Sequence, residues 1–252
     1  MTEETRASGG GVALVGGMVV MAALGAVVST LSTTTRDGPA EQKEVFAKQA
    51  PQTLVKLLED PTERIRAGFK LLDHGKDAIP VLLRAAEDPA FKARPRAIRL
   101  LGQLRATEAI PLLVALNDPA LAQDRIVALG RIQGAQALAE IRKVLQNEKA
   151  SVPLQIDAVR AASNWTAPPA NLDPDVEPFL RHEVWGLREF AAVYYGTHKR
   201  TAAVPTLIEL LHDPNAIVRR KAAWALMQIK APAGIKAVDE ALAAGAIPQD
   251  DD

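Results

Sequence analysis

Two patterns of hydrophobic positions divide the chain. Residues 7–35 carry no charged side chain, and residues 11–31 within them form an almost continuous apolar run. From residue 51 onward, apolar side chains instead recur every three or four positions, as they do along one side of an α-helix. The first pattern predicts a membrane-spanning helix, and the second predicts a series of amphipathic helices.

The apolar run is long enough to cross a lipid bilayer. Its 21 residues would form a helix about 32 Å long, close to the ~30 Å thickness of the hydrocarbon core. A cleaved signal peptide is the alternative, but such a peptide begins with positive charge, whereas Glu3 and Glu4 outweigh Arg6 here. We therefore expect an uncleaved anchor, with the signal peptide as the alternative.

Small residues recur four positions apart in this segment, at Gly9, Ala13 and Gly17. This spacing lets two membrane helices associate closely, although Gly and Ala are also common in membrane helices in general. The basic residues that follow the segment favour a cytoplasmic C-terminal domain, whereas an exported domain is the common bacterial arrangement. We expect a single-pass protein of a bacterial inner membrane, with the side of its main domain left open.

The rest of the chain is repetitive. Three segments begin alike: KDAIPVLLRAAEDP at residue 76, TEAIPLLVALNDP at 107 and TAAVPTLIELLHDP at 201. Pro80 and Pro111 are 31 residues apart, and Pro205 follows 94 residues later, which is three such steps. Weaker units begin near residues 51, 135 and 173. We predict six helix–turn–helix units and a closing helix over about 232–245, stacked because no unit buries its apolar face alone.

An Asp-Pro pair is predicted to separate the two helices of a unit. Asp accepts hydrogen bonds as an N-cap and Pro fits the first helical position, so the pair should begin the second helix. The clearest second helix places Val218, Ala222, Ala225 and Ile229 on one side, which is the predicted core. Trp224 lies off that side, and we expect it to contact a neighbouring unit. Most of the aromatic residues between 165 and 195 are expected to fill the core of the fifth unit.

The segment DPNAIVRRKAAWALMQI, residues 213–229, resembles the second helix of a HEAT repeat, and weaker copies share its register. The short period is similar to that of bacterial HEAT-like repeats, including those of phycobilin lyases. The resemblance covers roughly residues 51–245 and implies an all-α, right-handed α-solenoid. It also implies a ladder of Asp and Arg between adjacent repeats, whereas the fourth unit has neither the Asp-Pro pair nor a clear ladder arginine. The ladder arginines would be Arg66, Arg94, Arg125, Arg188 and Arg219.

These patterns define a domain organisation for the whole chain. The predicted parts are an N-terminal tail (1–10), a transmembrane helix (11–31), a linker and lead-in helix (32–50), the HEAT-like solenoid (51–245) and an acidic C-terminal tail (246–252).

The composition excludes several classes of function. The chain contains no cysteine, which removes disulfides, thiol nucleophiles and Cys-ligated metals. The 30 basic and 30 acidic residues balance, which argues against a nucleic-acid binder. No phosphate-binding loop, dinucleotide fingerprint or nucleophile elbow is present. The four histidines, which are His74, His182, His198 and His212, lack metal-ligand spacing. We expect no catalytic residue, cofactor or metal.

Charge is nevertheless distributed unevenly along the chain. The predicted second helices hold 16 basic and six acidic residues, so the face that they line should be positive. In HEAT-like solenoids this is the concave face. Residues that the ladder leaves free on it are the predicted partner-binding site: Arg96, Arg99, Arg220, Lys221 and Trp224.

The predicted function is that of a membrane-anchored scaffold or accessory subunit that binds an acidic protein, or a protein of a membrane complex, without catalysis. Two alternatives remain. The repeat type also suits a lyase-like or chaperone-like protein that handles a cofactor. A basic concave face also suits a binder of anionic lipid headgroups.

Overall fold

The computed structural model of the chain describes residues 49–247. Within this range the protein forms thirteen α-helices joined by short turns, many of them 3₁₀ helices, and no β-strand. The α-helices are α1 (Pro51–Lys56), α2 (Arg64–Asp73), α3 (Ile79–Glu87), α4 (Arg94–Gln103), α5 (Ile110–Ala115), α6 (Ala122–Ile132), α7 (Ala135–Leu145), α8 (Val152–Ser163), α9 (Asp173–Val176), α10 (Trp185–Thr197), α11 (Val204–Glu209), α12 (Ala216–Ile229) and α13 (Pro232–Ala243).

The helices form six consecutive pairs, and α13 closes the series. Each second helix contacts the second helix of the next pair, so α2, α4, α6, α8, α10 and α12 form one continuous layer, here called the second-helix layer. The first helix of each pair is shorter or irregular, and a proline lies in its first turn in every pair except the fourth. The predicted all-helical repeat architecture is confirmed.

The fourth pair, which lacks the ladder arginine, does not interrupt the stack. Its second helix α8 packs against both α6 and α10. Gln155 is buried where the other pairs have an arginine, and its Nε2 donates to the carbonyl oxygen of Asn147 at 3.4 Å. Arg94 makes the matching contact in the second pair, from Nε to the carbonyl oxygen of Ala86 at 3.0 Å. An amide side chain thus substitutes for a guanidinium in holding the turn.

The core lies between the two helices of each pair and between neighbouring pairs. Val218, Ala222 and Ala225 are fully buried and Ile229 nearly so, which confirms the predicted core side of α12. Trp224 contacts the preceding unit, since a Cβ placed on Gly196 would lie 2.7 Å from its ring. The prediction for this tryptophan is also confirmed.

The aromatic residues between 165 and 195 are mostly core residues. Trp165, Phe179, Tyr194 and Tyr195 are buried, whereas Trp185 is 44% exposed. The interpretation of this cluster as packing is therefore confirmed for four of its six members; Phe190 is half-buried and Trp185 is exposed.

The Asp213-Pro214 pair begins a turn rather than a helix, whereas Asp118 is the N-cap of a 3₁₀ helix that starts at Pro119. The carboxylate of Asp213 accepts a hydrogen bond from the backbone N–H of Asn215 at 2.8 Å. Asn215 is the N-cap, because its side-chain oxygen accepts from the N–H groups of Ile217 and Val218. The prediction that Asp and Pro occupy the N-cap and N1 positions is therefore wrong for α12. The physical reason is that the aspartate closes a local turn first, which displaces the start of the helix.

The predicted arginine ladder exists, but its partners vary. Arg94 reaches Asp118 of the next pair at 3.3 Å, and Arg188 reaches Asp213 through two hydrogen bonds. The other arginines depart from the Asp–Arg pattern. Arg125 pairs with Glu140, Arg219 donates to the carbonyl oxygen of Ala246, and Arg66 lies 4.0 Å from Glu63 of its own unit.

Neighbouring second helices approach most closely at small residues. A Cβ placed on Gly102 would lie 2.7 Å from the Cα of Ala128, and one placed on Gly130 would lie 2.5 Å from the Cβ of Ala161. No side chain separates the helix backbones at these points. The glycines therefore set the spacing of the second-helix layer.

Several helices are followed by a residue in the left-handed backbone conformation, and three of these residues are basic. Arg105, Lys199 and Lys230 have φ values of 50°, 51° and 62°. Their exposed side chains lie at the C-terminal ends of α4, α10 and α12, where the carbonyl groups favour a positive charge.

No helix between residues 49 and 247 is long and apolar enough to cross a membrane. The predicted membrane helix 11–31, the small residues Gly9, Ala13 and Gly17, and most of the linker lie outside the described residues.

Candidate functional site

A shallow groove of about 220 Å³ lies between α2 and α4 at the N-terminal end of the second-helix layer. Its apolar floor comes from both helices and from the turn before α2. Three arginines and two large exposed hydrophobic residues stand around it. The groove residues used below are Arg64, Ile65, Phe69, Arg96 and Arg99.

The apolar part of the groove is a pair of exposed side chains on α2. Ile65 is 67% exposed and Phe69 is 64% exposed. They are four residues apart, so they lie on the same side of the helix. Large apolar side chains that stay exposed together are typical of surfaces that bind another molecule.

The charged part of the groove is an incompletely neutralised arginine cluster. The Nε of Arg64 is buried and has no hydrogen-bond partner in the described part of the chain. Burial lowers the pKa of Arg96, and the positive charges of Arg64 and Arg99 lower it further. A carboxylate placed in this groove would relieve the mutual repulsion of the three guanidinium groups.

Arg99 differs from the other two arginines because it has a partner within the layer. Its Nη1 lies 3.1 Å from Oδ1 of Asp124 on α6. Burial raises the pKa of Asp124, the charge of Arg99 opposes this effect, and the nearby Asp157 reinforces it. No carboxylate within residues 49–247 forms an ion pair with Arg96, so Arg64 and Arg96 are the donors most available to a ligand.

The structure divides the five predicted binding residues between two places. Arg96 and Arg99 line the α2/α4 groove. Arg220, Lys221 and Trp224 lie on α12, four pairs further along the layer. Trp224 is 39% exposed, and its inner edge packs on Gly196. The role of these five residues in binding stays a prediction.

Arg64, Ile65 and Phe69 were not predicted as site residues. The sequence signal was present, because Ile65 and Phe69 are spaced as a helical pair while Ala67 and Leu71 already supply the buried side of α2. A second apolar side on a short helix indicates a second contact surface.

A buried polar network near the fifth pair is a structural feature. The hydroxyl of Tyr194 donates to Oδ1 of Asp173 at 2.7 Å, and that of Tyr195 donates to its backbone oxygen at 2.8 Å. Burial raises the pKa of both tyrosines. These bonds fix the start of α9 against α10.

The histidines do not assemble a metal site within residues 49–247, where no group of three His, Asp or Glu side chains is placed to hold a metal ion. His198 contacts the carbonyl oxygen of Ala162 at 3.2 Å. Burial lowers its pKa, which the hydrogen bond with that carbonyl partly opposes.

The stacked helix pairs define an α-helical repeat protein, and its repeats are similar to HEAT repeats. The sequence model of the family described as HEAT repeats matches residues 174–248, which include most of the fifth pair, one of the units with a weaker sequence signal.

Two individual proteins illustrate the likeness. The bilin biosynthesis protein PecE of Mastigocladus laminosus is 28% identical over 165 residues, which are 63% of this chain and 58% of that protein. The chain thus spans less than two thirds of the length of this relative. A designed armadillo repeat protein is 16% identical, with a TM-score of 0.50 over 72% of this chain and 100% of its own. The second comparison shows the fold alone.

Proposed function

We propose that the protein is a HEAT-like scaffold that binds an acidic, amphipathic segment of a partner protein in the α2/α4 groove. The observation that carries this proposal is the juxtaposition of Arg64 and Arg96, which lack a carboxylate partner in residues 49–247, with the exposed Ile65 and Phe69. The groove offers both apolar contact and forked donors.

The chemistry of the groove limits what the partner segment looks like. Its apolar residues would cover Ile65 and Phe69, and carboxylates would lie over the arginines. A volume of about 220 Å³ holds one or two side chains rather than a large prosthetic group. Charge-assisted pairs of this kind make association fast and sensitive to salt. The partner is therefore expected to present Asp or Glu beside one or two large apolar residues.

The proposal includes membrane attachment through residues 11–31. The support is the apolar character and length of that segment in the sequence. An anchor would hold the groove close to a bilayer, where a partner in a membrane complex would meet it. Binding at the groove does not depend on the anchor.

Site-directed photo-crosslinking in the native host tests the binding surface. A photoreactive side chain at position 69 should give a crosslinked product with one partner. Replacing Arg64 and Arg96 by Gln should abolish this product. The matched control carries the same photoreactive group at Leu242, which is also exposed but lies on α13.

The crosslinked products distinguish which molecule occupies the α2/α4 groove. A product at position 69 but not at position 242 supports the proposal. An intramolecular product with residues 1–48 would mean that the chain covers its own groove, and equal labelling at both positions would mean nonspecific contact. Either of these results contradicts the proposal.

A second candidate function comes from the similarity to a bilin biosynthesis protein. A bilin joins an apolar conjugated frame to carboxylates, which resembles the chemistry of the groove, but the groove is small for such a pigment. Mixing the full chain with biliverdin and recording visible circular dichroism tests this candidate. An induced signal that Arg96→Gln removes would favour it over a protein partner.

A further inference from the structure

A second, larger cavity lies elsewhere on the second-helix layer, where the C-terminal ends of α4, α6 and α8 meet. Its volume is about 600 Å³. Arg105, Arg131 and Arg160 line it, one from each of three successive repeats. Neither the family match nor any predicted site residue concerns this cavity.

The floor of the cavity is a close contact between α6 and α8. Gly130 faces Ala161 there, and a Cβ on Gly130 would lie 2.5 Å from the Cβ of Ala161. Because both residues are small, they leave space above the contact, and the long arginine side chains form the walls of the cavity. No aromatic residue lines the cavity, so nothing in it offers a stacking surface for a nucleotide base.

The three arginines are neutralised unequally. Arg160 forms an ion pair with Asp157 and lies 5.8 Å from the ring centre of Phe190. The other oxygen of Asp157 accepts from Nε2 of Gln123 at 3.0 Å. Within residues 49–247 the side chains of Arg105 and Arg131 form no ion pair and no hydrogen bond. The cavity therefore keeps a net positive charge.

The hydrogen bonds that end α4 do not require the side chain of Arg105. The turn that it begins already uses the last carbonyls of α4, because the N–H of Arg105 donates to Gly102 and that of Ala106 donates to Leu101. A glycine at φ 50° would close the same turn without strain. The arginine side chain is thus an addition to the turn rather than a requirement of it.

We propose that this cavity is an anion site that binds a phosphate group. Guanidinium groups donate in planar forks that match phosphate oxygens, and two or three of them balance a dianion. The polar lining and the absence of an aromatic wall favour pyrophosphate, inorganic phosphate or a phosphorylated side chain over a nucleotide. The site stands apart from the α2/α4 groove and does not rest on the proposed function.

Titration calorimetry on the full chain tests this site, with pyrophosphate as one probe and a phosphoserine peptide as the other. Arg105→Gly removes one guanidinium while giving the left-handed turn its preferred residue. It should weaken binding of either probe roughly tenfold or more, as expected for a lost charge-assisted hydrogen bond. Arg131→Gln should act in the same direction, which covers the case of a misfolded first variant.

Lys230→Gly is the matched control, because Lys230 holds the equivalent left-handed position at the end of α12, outside the cavity. It should leave the affinity unchanged. Tighter binding of the peptide would indicate a phosphorylated protein as the source of the phosphate, and tighter binding of pyrophosphate a free metabolite; both support the site. Absence of saturable binding for both probes, or an equal loss in Lys230→Gly, would overturn it.

Discussion

Arg188 holds Asp213 of the next repeat through two hydrogen bonds, from Nε to Oδ2 at 2.6 Å and from Nη2 to Oδ1 at 2.9 Å. Both side chains are largely buried, and further N–H groups of Arg188 donate to the carbonyl oxygens of His182 and Glu183. One guanidinium therefore joins the turn of the fifth pair to the turn of the sixth.

Removal of this carboxylate should weaken the junction between the two repeats. Asp213→Ala leaves Arg188 largely buried without its charge partner, so we expect a loss of about 3 kcal/mol in the free energy of unfolding. Glu209→Ala is the control, because its pair with Arg181 crosses the same junction at 2.9 Å but is more than half exposed. That change should cost about 0–1 kcal/mol. Urea denaturation measures both, and equal costs would contradict the assignment.

The Arg188–Asp213 pair is expected to contribute to the loss of folding stability in acid. Burial alone would raise the pKa of Asp213, but hydrogen bonds from Arg188 and from the N–H of Asn215 lower it below its ordinary value of 3.8. A carboxyl group whose pKa is lower in the folded than in the unfolded state stabilises the fold at pH values above its unfolded-state pKa. This stabilisation is lost as the pH falls through the folded-state pKa. Asp213→Asn should therefore show a shallower loss of stability below about pH 4. Parallel pH titrations of the two proteins would reveal identical slopes if Asp213 had no such role.

The glycine contacts predict an unusual response to alanine. Gly130→Ala places a methyl group against Ala161 and should destabilise the fold by about 1–3 kcal/mol through overpacking, despite the better helix propensity of alanine. Gly68→Ala is the matched control within α2, where the nearest atom to an added Cβ is 3.9 Å away. It should be stabilising by about 0.5–1 kcal/mol. A stabilising effect at both positions, measured by thermal melting, would mean that α6 and α8 are further apart than described.

The register of α12 predicts intolerance of charge at Ala222. This residue is fully buried, so Ala222→Asp buries an unpaired carboxylate and should cost on the order of several kcal/mol. Ala233→Asp is the control, because Ala233 is exposed in the first turn of α13, where a negative charge is favourable. Unchanged melting temperatures for both variants would show that the register is wrong.

The N-terminal apolar segment predicts behaviour in membrane fractions. If residues 11–31 insert as a helix, the full chain should remain in the membrane pellet after washing with alkaline carbonate, because about 20 inserted apolar residues hold far more strongly than a peripheral contact. N-terminal sequencing supplies the decisive comparison. Mature protein that begins near residue 32 or later would identify a cleaved signal peptide instead.

The fold was predictable because its signals are local. The spacing of Pro80 and Pro111 gave the repeat, and the apolar positions of α12 gave its buried side, since both depend on residues close together in the sequence. The exact starts of the second helices were less accessible. Hydrogen bonds within the turn, such as that from the N–H of Asn215 to Asp213, determine where each second helix starts. The free-energy difference between such a turn and a helix N-cap is small.

Side-chain pairing across repeats could not be derived from residue types. Arg99 pairs with Asp124, and Arg125 pairs with Glu140 rather than with an aspartate. Gln155 occupies the position of a ladder arginine and still holds the preceding turn through the carbonyl oxygen of Asn147. The spacing of Ile65 and Phe69 indicates a second apolar side of α2, but the sequence does not show that both side chains remain exposed.

The basic residues in the left-handed backbone conformation at the helix ends also have a consequence for proteolysis. Trypsin cleaves after Arg and Lys, and it acts where the backbone is exposed and free to open. Arg105, Lys199 and Lys230 are exposed, and each follows the second helix of a pair. Cleavage there would separate whole repeats and leave every helix intact. A brief digest would therefore divide the chain at its own structural boundaries.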